Sequence, residues 1–150
     1  MLMEKYSAVK NIRWLVDVPE DRVQSIFERA SIVVLPYSAS TGSSSVLYQA
    51  ASWGRPIVAS GLPELRSAAA ESGLQINFFE TDNVQNLTRQ LKDLLDHPAR
   101  LQAQIHQNAE RIHSIQPRST ARHYLKAFDM ALSAAGKPSP LKNWQEVDAA

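Results

Sequence analysis

Residues 31–60 read SIVVLPYSASTGSSSVLYQAASWGRPIVAS. Their reading decides the fold. SIVVLP is apolar without alternation, the pattern of a strand covered on both faces of a parallel sheet. A polar loop follows, and then a small-residue helix from about Ser43 to Gly54, with the glycine suited to the position just past a helix end. PIVAS is a second short apolar strand. A strand, a loop, a helix and a further strand in 30 residues form one unit of an α/β sheet.

The same alternation extends outward on both sides. Upstream, NIRWLV (11–16) has the β-branched and aromatic composition of a strand. PEDRVQSIFERA follows it, with Pro19 suited to a first helical position and Glu20 and Asp21 to the positive end of a helix dipole. Val23, Ile26, Phe27 and Ala30 keep the spacing of a buried stripe. Downstream, PELRSAAAES is a helix closed by Gly73. LQINFF is an alternating strand, expected nearer a sheet edge. Thr81 or Asp82 is expected to cap a helix whose stripe is Val84, Leu87, Leu91, Leu94 and Leu95. Pro98 opens another helix, with Leu101, Ile105, Ala109 and Ile112 on one side. Pro117 breaks it, and a last helix carries Ala121, Tyr124, Leu125, Phe128 and Leu132 to Gly136. The expected fold is α/β: a truncated Rossmann-like parallel sheet of about four strands, helices on its faces, and extra C-terminal helices. Residues 1–136 form the domain, and 137–150 an extended or disordered tail with Trp144 as a docking residue.

Bulk properties narrow the function. The chain has 150 residues, about one domain, and 44% of them are hydrophobic, enough for one core. The net charge of +1 gives no field directed at nucleic acid or a membrane surface. Cysteine is absent, which excludes disulfides and thiolate metal sites and fits a reducing compartment. The N-terminus lacks a signal-peptide pattern and no apolar run approaches a membrane span. A cytoplasmic protein is expected, without cofactor or metal.

The loop carries the chemistry. Gly42, Ser43, Ser44 and Ser45 bring small side chains and backbone N–H groups to a helix start. The first N–H groups of a helix lack intrahelical partners and the dipole is positive there, which makes an anion site. The loop has neither the P-loop pattern nor GxGxxG. Taken alone, it fits equally a phosphate site or a plain capped turn.

The surrounding order of motifs resembles the C-terminal half of GT-B glycosyltransferases with the family-4, glycogen synthase-like, signature. It runs from the PED helix through ASIVVLP, the glycine loop, GRPIVAS and the LPEL turn to the DN-capped helix. The resemblance covers roughly residues 11–132 and is strongest over 30–61. It implies a nucleotide-sugar donor, a UDP- or GDP-sugar. Its diphosphate would meet the N–H groups of Ser43, Ser44, Ser45 and Val46, with Gly42 allowing the turn. The family's two loop glutamates fall on Thr41, at the donor sugar, and Gln49, at the ribose. The base would meet the backbone of Val16, Asp17 and Val18. The resemblance also implies two further strands, with an Arg and a Lys for the diphosphate, and an N-terminal acceptor domain; the chain contains none of these. Transfer is therefore expected to need that domain or a second chain. NIRWLV, deprived of its neighbours, is expected to slide in beside SIVVLP or to remain an apolar edge, so that the chain self-associates or takes a second chain. The alternatives are a non-catalytic nucleotide-sugar-binding or interaction module, and a nucleotide-sugar epimerase, which needs acidic and histidine residues that the loop does not show.

Other residues read more plainly. His97, His106, His113 and His123 lie in the C-terminal helices without a carboxylate at ligand spacing and read as solvated or packing histidines. Glu64 reads as a first-turn acid. Tyr37 either lines the site or packs on the helix of Leu47 and Ala51.

Overall fold

The structure is a computed structural model that describes residues 2–40, 42, 44–114 and 117–138. In chain order its elements are α1 (Leu2–Lys5), α2 (Glu20–Arg29), β1 (Val33–Leu35), α3 (Ser45–Ser52), β2 (Ile57–Ser60), α4 (Pro63–Ser72), β3 (Asn77–Phe79), α5 (Val84–Asp96), α6 (Pro98–Ser114) and α7 (Pro117–Ala134). The strands form one parallel sheet in the order β1-β2-β3. Val33, Val34 and Leu35 lie opposite Ile57, Val58 and Ala59, and Val58, Ala59 and Ser60 lie opposite Asn77, Phe78 and Phe79.

This is the expected truncated Rossmann-like α/β sheet, with three strands where about four were expected. Residues 12–16 have no regular structure, so NIRWLV is not a strand. Strand propensity is a fit to a pleated, half-buried surface, and this stretch has no neighbouring strand to provide one. The most buried strand is β2, with all four residues buried, whereas β1 is a half-buried edge. LQINFF does supply the opposite edge.

Pleating divides the sheet residues between two apolar clusters. Leu35, Ile57 and Ala59 join Phe27, Leu47, Ala50, Ala51, Leu65 and Leu74 on one face. Val58 and Phe79 join Leu94 on the other, with Leu87, Leu91 and Leu101 packed against them. The helices α2, α3 and α4 thus cover one face, and α5 with the start of α6 covers the other. Helix α3 buries Leu47, Ala50 and Ala51 completely; two alanines in that face let its backbone come close to the sheet.

Several boundaries differ from the sequence expectation. Pro19 is the N-cap of α2, whose first residue is Glu20, and Ile26 in its expected stripe is exposed. Helix α3 begins at Ser45 rather than Ser43, after the extended N-cap Ser44. Asn83, not Thr81 or Asp82, caps α5, its side chain accepting from the Asn86 N–H at 2.8 Å. All three residue types can cap; Asp82 instead takes a left-handed turn at φ 61°. Val84 and Leu95 lie outside the buried stripe of α5, at 71% and 58% exposed. Gly73 does close α4, at φ 68°.

Helix α6 adds polar groups that its apolar stripe conceals. Asn108 is fully buried and Gln104 nearly so. Asn108 accepts from the Gln75 N–H at 2.7 Å and donates to the Gln75 carbonyl at 2.9 Å. Gln104 donates to the same carbonyl at 2.7 Å and accepts from Asn77 at 3.1 Å. Two side-chain amides therefore clamp the chain where it enters β3. On α7, Tyr124, Phe128 and Met130 are exposed. Most of the tail expected at 137–150, with Trp144, lies outside the described residues.

Candidate functional site

The site forms at the C-terminal end of β1. After Leu35 the chain leaves the sheet through Pro36, turns, and enters α3 at Ser45. Residues Tyr37, Ala39, Ser40, Gly42, Ser44, Ser45 and Val46 line an open groove of about 740 Å³, a volume in the range of small-molecule sites. Its position beyond the carboxyl ends of parallel strands is where such sheets bind ligands.

The start of α3 is unusual in how its cap is used. Ser44 occupies the N-cap with extended backbone, yet its side chain makes no capping hydrogen bond. Its Oγ instead lies 3.2 Å from the Tyr37 hydroxyl. The Ser44 carbonyl takes the Leu47 N–H at 3.0 Å. The N–H groups of Ser44, Ser45 and Val46 have no hydrogen-bond partner among the described residues. They are the orphan donors that a helix start leaves for solvent or a ligand. Tyr37 thus does both things weighed for it: it lines the groove and packs against the main core cluster.

Gly42 lies on the groove wall and is exposed. A Cβ built on it would meet nothing within 4 Å. The wall is therefore open at the place a side chain would take. Ser40 steadies the loop by donating to the Gly42 carbonyl at 2.6 Å.

The structure brings Gly42, Ser44, Ser45 and Val46 together on this wall. Thr41 and Ser43 lie outside the described residues. Gln49 is exposed one helical turn past Ser45 and is not part of the wall, and neither are Val16, Asp17 and Val18. Asp17 has a left-handed backbone at φ 50°, and Val16 is 64% exposed. Ala39 and Ser40 are wall residues that sequence reasoning passed over; their signal was membership of the same polar loop.

No charged residue lines the groove among the described residues. Just after the next turn, GLPEL, helix α4 carries a cation, Arg66, that is engaged elsewhere. Arg66 Nε donates to the Gly61 carbonyl at 3.1 Å, and its guanidinium lies 4.5 Å from the centre of the Phe78 ring. Gly61 itself donates to the Phe79 carbonyl at 2.8 Å, and a Cβ there would come within 3.2 Å of that oxygen. Glu64 makes no hydrogen bond among the described residues.

The histidines stay at the surface. His97 Nδ1 lies 2.7 Å from the Asp93 carbonyl oxygen, and His106 Nε2 lies 3.3 Å from Glu110 Oε1. Among the described residues no three His, Cys, Asp or Glu side chains are grouped to hold a metal ion. No helix among them is long and apolar enough to cross a membrane.

Comparison with known proteins agrees with this architecture. Curated proteins give no match to the chain. Residues 2–97, which span α1 to the end of α5 and include the whole groove, match the model of the family described as glycosyl transferases group 1. With nearly two thirds of its residues inside that match, the chain belongs to the group 1 glycosyl transferases, a family of glycosyl transfer.

Proposed function

We infer that the chain is the donor-binding, C-terminal half of a retaining, family-4-like GT-B glycosyltransferase, and that its donor is a UDP- or GDP-sugar. Residues 1–136 make up the partial Rossmann-like domain and 137–150 a tail. The observation that carries this reading is the uncapped start of α3. The N–H groups of Ser44, Ser45 and Val46 have no partner among the described residues, these three residues line the groove, and the hydroxyl of the N-cap Ser44 is engaged with Tyr37. An anionic diphosphate is the ligand such a helix end favours. Ser43, outside the described residues, would add its N–H to the same diphosphate. Gly42 leaves room for the phosphate, Thr41 faces the donor sugar, and Gln49 meets the ribose from the Ser45 side of α3. The backbone of Val16, Asp17 and Val18 receives the base.

The groove wall is neutral, and that limits what the chain does alone. Loss of the sugar leaves negative charge on the departing diphosphate, and stabilising such charge is usually the largest catalytic contribution. Backbone donors supply part of it. The cations, and the acceptor site, come from an N-terminal domain of the intact protein or from a second chain. A cytoplasmic location belongs to this reading, and a chain without cysteine suits a reducing compartment. The neutral wall also supports a second reading, a non-catalytic module that binds the nucleotide sugar without transferring it.

Titration of UDP, GDP and their sugar conjugates against the full chain, followed by ligand-observed NMR, tests the site. Ser45 is the first residue of α3, where proline is tolerated but brings no N–H. Ser45→Pro is expected to keep the helix and to weaken nucleotide binding at least about tenfold, the worth of one hydrogen bond to a charged group. Equal binding by both proteins would rule out the helix-start site. Saturable binding that never leads to donor hydrolysis or transfer, even with an N-terminal half supplied, would select the module.

A further inference from the structure

Arg66 is held in place without being neutralised. Its Nε donates to the Gly61 carbonyl at 3.1 Å, and its guanidinium lies over the Phe78 ring, 4.5 Å from the centre. Among the described residues no carboxylate pairs with it, and its two terminal nitrogens have no hydrogen-bond partner. Gly61 makes the room: a Cβ at that position would come within 2.6 Å of Arg66 Nη2. One carbonyl and one ring thus fix the plane of the group, while its outer amino groups stay open. A guanidinium set in advance loses little freedom when it forks onto an oxyanion.

The place of Arg66 in the fold adds to this. Leu35 and Ala59 are partners in the register, and Ser60 Oγ donates to the Leu35 carbonyl at 3.1 Å. The chain therefore leaves β1 toward the groove, and β2 toward Gly61, from points roughly 5 Å apart, the spacing of neighbouring strands. Phe78 packs against the cluster that holds Leu47 of α3 and Leu65 of α4. Arg66 and the start of α3 thus share one end and one face of the sheet. Arg66 stands on the β2–β3 side, away from the β1 edge.

We propose that Arg66 is this chain's own cation for the ligand of the groove, and that it pairs with the second phosphate of a nucleoside diphosphate. The proposal rests on the nucleotide-sugar reading above. That reading gives the nucleoside to the turn before α2 and the diphosphate to the start of α3. The phosphate farther from the nucleoside is then the one that reaches Arg66. No charged residue lines the groove itself among the described residues, so a guanidinium at its margin supplies what the wall lacks.

Titration of the full chain with UDP, UMP and uridine, and with their guanine counterparts, tests this by ligand-observed NMR. Arg66→Met keeps an unbranched side chain beside Phe78 and removes the charge. It is expected to weaken diphosphate binding about tenfold, the worth of one hydrogen bond to a charged group. Monophosphate and nucleoside binding stay as they were. The difference between the two proteins shrinks as salt is raised. Arg66→Lys keeps the charge without the fork and falls between them. In the wild type the Arg66 Nε resonance, identified by its loss from the Met variant, moves on addition of the diphosphate and stays in place with the nucleoside. Full diphosphate affinity in Arg66→Met overturns the proposal. If Ser45→Pro weakens binding in that same assay, the helix-start site stands and Arg66 alone is removed from it. An equal loss for monophosphate and diphosphate also overturns the proposal, because a disturbed loop gives that result. A wild-type chain that binds no diphosphate overturns both readings.

Discussion

Ser44 shows how a single side chain can keep a site open. A serine at an N-cap ordinarily accepts from the second or third N–H of its helix. Here its hydroxyl is held by Tyr37, and the donors have no partner among the described residues. The Tyr37→Phe variant removes the competing hydroxyl. Ser44 is then expected to turn to the Val46 N–H, and two effects follow with opposite signs. Thermal stability holds or rises, by up to about 1 kcal/mol, the usual worth of a cap. Nucleotide affinity falls, because the cap and a phosphate compete for one donor. A melting curve and a UDP titration on the same protein check both. The place of the groove was legible in the run of glycine and serine before a helix. The use of its cap was not, because Tyr37 and Ser44 meet only when the loop has folded. The cap of α5 has a similar lesson. Thr81, Asp82 and Asn83 are all capping residues in succession, and only the left-handed turn at Asp82 decides that Asn83 takes the role.

At the scale of elements, the sequence pattern located the helices from α2 onward, passed over α1, and misjudged where some stripes end. Leu94 is buried against Val58 and Phe79, while Val84, on the same expected stripe, is open to solvent. Their substitution separates the two. Leu94→Ala is expected to cost about 2–4 kcal/mol through lost contacts and the cavity left behind, and Val84→Ala less than about 0.5 kcal/mol. Urea unfolding of both variants measures the difference. The stripe is a property of the helix, whereas its buried extent depends on how far the sheet reaches beneath it. A sheet of three strands is narrower than the pattern anticipates. NIRWLV fails for a related reason. Its composition suits a strand, but pairing requires an adjacent edge, and the composition carries no information on whether that edge is occupied.

Across the whole molecule, the family match ends at residue 97 but the packing does not. Helix α6 lies beyond the match and still holds β3 through Gln104 and Asn108. In the sequence these two look like solvent-facing positions between apolar ones, and only the tertiary fold buries them. Asn108→Ala leaves the Gln75 N–H without its partner. It is expected to destabilise the protein by about 2–3 kcal/mol, the cost of stranding a buried polar group. Equilibrium unfolding in urea checks the value. An unchanged midpoint would mean that water replaces the amide.

The amide clamp also has a meaning in time. A ribosome delivers the chain from its N-terminus, and the anchor at Gln75 is 33 residues ahead of the Asn108 that secures it. At roughly 5–20 residues per second, the interval is about two to seven seconds. Throughout it the entry to β3 is unsecured, and the apolar residues of the half-built sheet are exposed to other nascent chains. The exposed interval therefore falls after the groove at the start of α3 has been translated and before the helix that locks its supporting sheet has been made.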